Sequence, residues 1–187
     1  MMPRLALVIV SCLAGAAGAC GLLGPSVAEQ DAVLAAEYGS RCDQGEVRFC
    51  ARLGEFRAAG HEWEEAEAAY LRACRLGADP EVRAAGAPLG ESRPADVSDG
   101  ICMTILEPAR HRTTFRPIEP PPFGDAETAA IERRACLDHP PESEGRDAFL
   151  CACDRLERRA RRDGDAALAE RAAAAFPRYT RPGCGPR

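Results

Sequence analysis

Ten cysteines and three histidines are the residues of this 187-residue chain best suited to chemistry. Cys136-Leu137-Asp138-His139, followed by Cys151-Ala152-Cys153, offers four soft ligands that zinc or copper would accept. In an oxidising compartment the same cysteines form disulfides instead, and His139 stands in a turn ahead of Pro140. His61-Glu62-Trp63-Glu64-Glu65 comes within one residue of the zinc-binding His-Glu-x-x-His helix, but Glu65 stands where the second histidine is needed. A helix start with acidic side chains set against its positive dipole end accounts for these residues equally well. No Cys-x-x-Cys-His occurs, which excludes c-type haem attachment. All 24 basic residues are arginine, and the absence of lysine removes a Walker phosphate loop, a Schiff-base lysine and a Ser-x-x-Lys pair. Asparagine is absent too, a sign of GC-rich coding that makes alanine richness a weak helix signal. A net charge of −5 with 5% aromatics argues against general nucleic-acid binding. The reading is of a chain with no catalytic residues, no metal and no cofactor.

The N-terminus addresses the compartment. Arg4 precedes the apolar run Leu5 to Val10, and small residues lead to Ala17-Gly18-Ala19-Cys20. Charged, apolar and small-residue regions in that order make a secretory signal over residues 1–19, too short for a stop-transfer helix. The segment resembles bacterial lipoprotein signals, which implies lipidation at Cys20, although Ala17 stands where such signals favour leucine. Cleavage after Ala19 or after Ala28 is the alternative. Beyond Cys20 lie Cys42, Cys50, Cys74, Cys102, Cys136, Cys151, Cys153 and Cys184, an even set suited to disulfides in an exported protein. The expected location is the periplasm or outer membrane, lipid-anchored, or else secreted, with the membrane contacted only through the anchor.

Those cysteines need elements to position them. Residues 20–28 read as a tether, and a helix is expected from Glu29 to Tyr38, ended by Gly39. Glu46 to Ala59 and Glu62 to Leu76 carry apolar residues at three- and four-residue steps, with Gly60 between them as a terminator that tolerates positive φ. Helices joined so closely must pack antiparallel. Residues 81–124 are rich in proline, glycine and turn signals and are expected to be irregular. Their one apolar island, Ile101 to Leu106, suits either a short strand or one buried helical turn. Helix returns at Asp125 to Leu137, Arg146 to Arg162 and Asp165 to Phe176, making a second helical unit over 125–177 before a coil tail at 178–187. The arginine run Arg155, Arg158, Arg159, Arg161 and Arg162, interleaved with Asp154, Glu157 and Asp163, reads as solvated helix surface with i,i+4 ion pairs.

The unit at 29–80 resembles a tetratricopeptide repeat and its cysteine-rich Sel1-like relatives. Leu53-Gly54, Gly60-His61-Glu62-Trp63-Glu64-Glu65-Ala66, Tyr70 and Ala73 fall in that register, with Ala66 and Ala73 permitting close approach while Leu53, Trp63 and Tyr70 fill the space between helices. Arg57 departs from it at the first-helix aromatic position. Cys42-Asp43-Gln44-Gly45 followed by Cys50, and Ala73-Cys74-Arg75-Leu76-Gly77, carry the Sel1-like flavour. The resemblance implies a Cys42–Cys50 disulfide and leaves Cys74, with no cysteine at position 82, to pair elsewhere, Cys102 among the choices. A weaker copy runs through Cys153, Leu156, Ala160, Gly164, Ala169, Ala173 and Phe176.

The fold implied is all-α: antiparallel helical hairpins braced by disulfides, with a long irregular centre. The function implied is non-enzymatic binding of a protein or peptide partner in the cell envelope, and not of nucleic acid. The concave face of such a repeat maps to Arg48, Ala51, Glu55, Ala58 and Ala59. Two other functions fit the resemblance or the cysteines: a Sel1-like periplasmic hydrolase or cell-wall-binding protein, some of whose relatives carry a β-lactamase label, and a metal-binding cysteine-rich protein.

Overall fold

A computed structural model describes residues 26–87, 89–106, 122–139 and 146–175. Among them are eight α-helices and no strands: α1 (Val27–Asp43), α2 (Val47–Ala59), α3 (Trp63–Leu76), α4 (Pro80–Ala84), α5 (Pro94–Leu106), α6 (Asp125–Leu137), α7 (Arg146–Arg162) and α8 (Ala166–Ala175). The described residues are all-helical, as expected.

Three helices differ from expectation, and the smallest is α4, a short helix in the segment expected to be irregular, begun by the Asp79 cap and Pro80. α1 runs through Gly39 and ends five residues beyond Tyr38. An interior glycine costs about 1 kcal/mol relative to alanine, but contacts on both sides hold the helix across it. Tyr38 lies against Phe49 and Phe56, and the Arg41 guanidinium sits 3.5 Å above the Phe49 ring. At its other end Ser26 and Glu29 form a reciprocal capping box.

The larger correction is α5. Residues 94–106 were expected to be irregular, yet they form the helix on which the others converge, touching α2, α3, α4, α6 and α7. Its turn-forming residues serve other ends. Pro94 is its first residue, where a fixed φ and a missing N–H do no harm. Ser98 and Asp99 favour turns when their side chains compete for nearby backbone. Here the Ser98 hydroxyl donates to the carbonyls of Ala73 and Cys74, and the Asp99 carboxylate is taken by other side chains. Neither is left to unwind its own helix. The island Ile101 to Leu106 is the C-terminal half of this helix, and Met103, Ile105 and Leu106 are buried with Phe123, Ile131, Phe149 and Leu156 in the main core. A smaller core gathers Val47, Ala73 and the Cys42–Cys50 bridge.

Three connections use one device. Gly45, His61 and Gly164 all have positive φ and follow the ends of α1, α2 and α7. In each the next residue's N–H returns to a carbonyl five residues back: Glu46 to Arg41, Glu62 to Arg57 and Asp165 to Ala160. These are Schellman closures, and their last residue is the N-cap of the following helix. The positive φ expected at Gly60 falls on His61 instead, while Gly60 has φ −79°. The chain turns one residue later because the closing N–H must come from Glu62, which also starts α3.

Three disulfides join different helices. Cys42–Cys50 ties α1 to α2, Cys74–Cys102 ties α3 to α5, and Cys136–Cys153 ties α6 to α7. Cys151 is disulfide-bonded as well, so all seven described cysteines are oxidised. Cys20, Cys184 and the expected signal lie outside the described residues. No helix among the described residues is long and apolar enough to cross a membrane.

Candidate functional site

The five residues assigned to the concave face all lie on α2. Glu55 and Ala59 are exposed, Ala51 is half-buried, and Ala58 is buried. Arg48 is already engaged: its guanidinium donates to the Glu91 carboxylate and to the Ser92 carbonyl, in the segment leading into α5. The accessible part of the stripe is therefore its C-terminal half. Behind it α2 and α3 come close. A Cβ on Gly54 would fall 2.6 Å from the Tyr70 ring, so glycine is required for that ring to lie flat on the helix. Burial, reinforced by the Glu55 charge, pushes the Tyr70 phenol up to about 12. The Tyr70 hydroxyl is neutral at physiological pH, and Glu55 is the charge this face offers.

A second polar assembly lies inside the molecule, where α5 meets α4 and α6. Asp96 and Asp99 stand three positions apart on α5 and so share a face. Asp99 is fully buried and lies 3.0 Å from Arg83, 3.3 Å from Arg134 and 3.0 Å from His139 Nε2. Arg93 holds both oxygens of Asp96, and Arg83 also reaches Asp138 at 2.7 Å. His139 Nδ1 is 3.0 Å from Asp96 Oδ1, an ion-pair distance set off the line of a good hydrogen bond. The imidazole stacks on Phe149 of α7, with centroids 4.1 Å apart and planes 11° from parallel. Burial works to raise the Asp99 carboxyl, but the His139 hydrogen bond and the Arg83 and Arg134 charges outweigh it and hold it below its usual value. A carboxylate so enclosed has no route to a substrate. Its chemistry is that of a weld holding α5 to α4 and α6.

A smaller weld joins α6 to α7. Glu132 is buried and receives Arg155 at 2.6 Å and Arg159 at 3.2 Å. Three of the five arginines in the run are the solvated surface expected: Arg158 pairs with Asp154 and Arg161 with Glu157 at i,i+4, and Arg162 is exposed beside Asp163. Arg155 and Arg159 turn inward instead.

The metal-ligand set weighed from the sequence is not assembled. Cys136 and Cys153 are bonded to each other, and the His139 nitrogens face Asp96 and Asp99. Among the described residues no cluster of three or more histidine, cysteine or acidic side chains is arranged for a metal ion. In the His61-to-Glu65 motif, His61 is an exposed turn residue lying edge-on to Trp63, and Glu62 pairs with Arg57.

Sequence reasoning missed Asp96, Asp99, Ser98, Arg83 and Glu132 altogether. The one usable signal was the spacing of Asp96 and Asp99, which would have been visible had residues 94–106 been read as helix. Comparison with protein-family models, curated proteins and solved structures finds no match.

Proposed function

We propose that this chain is an exported, non-enzymatic helical-repeat protein that mediates protein–protein contact in the cell envelope, held at a membrane by a lipid on Cys20. The observation that carries the reading is the oxidation of all seven described cysteines, with the three described bridges each crossing from one helix to another. Disulfides of that kind form and persist outside the cytosol. The non-enzymatic part is supported by the fate of the ionisable cluster around Asp99, which is buried and spent on internal partners. The partner-facing surface in this reading is the accessible stripe of α2, with Glu55 as its charge and Ala51 and Ala59 as its flat ground.

The test of address and anchor is intact-mass analysis of the protein from its native membrane. A mass increase for a diacyl group with no free thiols is expected; an unprocessed N-terminus with reduced cysteines would sink the proposal. The test of the surface is partner capture from envelope extract by the wild type and by a Glu55→Arg, Ala59→Arg variant. Loss of the captured species is expected, and undiminished capture removes the α2 assignment. Turnover of a β-lactam or saturable binding of peptidoglycan fragments by the purified chain would replace this reading with an enzymatic or wall-binding one.

A further inference from the structure

His139 is the one fully buried histidine side chain among the described residues, and its two ring nitrogens each face a carboxylate oxygen at 3.0 Å. We propose that His139 is carried as an imidazolium, a buried cation that fastens α5 to the α6–α7 side of the core and lets go when it loses its proton.

The argument is one of donors and acceptors. A neutral imidazole has one N–H and one lone pair. Whichever tautomer forms, its lone pair would face Asp96 Oδ1 or Asp99 Oδ2, acceptor against acceptor, where no water reaches the ring. Leaving buried polar groups mismatched in this way is costly. The protonated ring donates its Nε2–H to Asp99 and sets a positive Nδ1–H 3.0 Å from Asp96 Oδ1 as an ion-pair contact. Its position flat against Phe149 adds to this, because an aromatic face attracts a cation.

The surroundings agree. Arg83 comes from α4, Arg93 from just before α5, Arg134 from α6 and Asp138 from just after it; the described α7 side chain against the ring is Phe149. The arginines keep part of their side chains in water, whereas Asp99 and His139 have none exposed. The imidazolium is the cation of this cluster with no exposed side-chain surface, and it shares the Asp99 carboxylate with Arg83 and Arg134. Asp99 itself stays ionised, held below its usual range by His139, Arg83 and Arg134 against the opposing effect of burial.

A device follows. With the ring charged, α5 and the α6–α7 pair are joined by two charge-assisted contacts. With the ring neutral, one of the two becomes repulsive inside the core, and the joint loosens. The fastening needs a protonated ring and an ionised Asp99, so raising the pH releases it through the ring, and strong acid releases it through the carboxylate. The change acts between α5 and the segment that follows α6, and it does not depend on the interaction role proposed above.

The experiment is nitrogen-15 NMR of the histidine rings in the intact, oxidised chain, with His139 assigned by elimination through His61→Gly and His111→Gln. At neutral pH both His139 ring nitrogens should give the signal of a protonated nitrogen. On raising the pH, loss of that pattern should coincide with a fall in the thermal midpoint, and Asp96→Asn should move the loss to lower pH. An unprotonated His139 nitrogen at neutral pH overturns the proposal. So does a loss of the pattern that leaves the midpoint unchanged, or one that Asp96→Asn does not move.

Discussion

His61 occupies, at the end of α2, the left-handed seat that Gly45 occupies at the end of α1. Both seats are closed by the same pair of bonds. The seat residue's N–H donates three residues back, to Cys42 or Ala58, and the following glutamate's N–H donates five residues back, to Arg41 or Arg57. The same arginine and glutamate are also paired through their side chains in both turns.

The two seats predict opposite responses to substitution. A side chain in the left-handed region costs about 1–2 kcal/mol, and His61 already bears that cost. His61→Gly should therefore stabilise the chain, offset in part by the looser unfolded chain, for a gain of about 0.5–1 kcal/mol. Gly45→Ala should destabilise by about 1 kcal/mol through the backbone alone, because its Cβ would meet nothing nearer than Leu76 at 4.0 Å. Urea midpoints of the two variants decide the matter, and a shift of the same sign in both contradicts the turn geometry.

Gly77 and Gly54 should fail for a different reason, which is space. A Cβ at Gly77 would collide with the Ser98 side chain, whose hydroxyl caps the end of α3. A Cβ at Gly54 would collide with the Tyr70 ring. Overpacking of this sort costs about 1–3 kcal/mol. Adding Ser98→Ala to Gly77→Ala should recover part of the loss. A double variant as unstable as the sum of its singles would mean that the two residues do not compete for one space.

The disulfides should rank by the length of loop each closes. Loop entropy gives about 2.5 kcal/mol for Cys42–Cys50, about 3.1 for Cys136–Cys153 and about 3.6 for Cys74–Cys102. Paired serine substitutions should lower thermal midpoints in that order. Full reduction under mild denaturant should unfold the chain, since the sum rivals the stability of a whole small domain. A reduced protein that melts where the oxidised one does would contradict this.

Acid should loosen the α5 weld. Asp99 has a folded carboxyl value below the unfolded one, near 4, so its contribution is present above that pH and fades as pH falls through the lower folded value. Asp99→Asn should destabilise by about 3 kcal/mol at neutral pH, with the gap to wild type closing below about pH 4. A gap that persists unchanged in strong acid would show that the Asp99 charge is not what stabilises the joint. Circular dichroism melts across the range would read both.

Much of the helical layout is legible from local signals. α6 and α7 begin and end where an acidic first turn and apolar spacing put them, and α2 and α3 are bounded by the glutamates that become their N-caps. What misleads is α5. Asp99-Gly100 and Pro94 are turn-formers in an isolated chain, because a short polar side chain competes for its own backbone. That competition disappears when Arg83, Arg134 and His139 claim the carboxylate and the end of α3 claims the Ser98 hydroxyl. The residues that answer Asp99 are up to 40 positions away, and no window of sequence contains both sides of the bargain.

The amino-acid order alone determined that the chain is helical and rich in cysteines suited to oxidation, since helix periodicity and cysteine count are properties of neighbours and totals. Only the tertiary structure decided which cysteines beyond the Cys42–Cys50 pair meet, that residues 94–106 form the central helix, and that His139 lies between two aspartates. Those outcomes depend on charges and thiols brought together by folding across long stretches of chain, where burial turns a turn-forming aspartate into the partner of two arginines and a histidine.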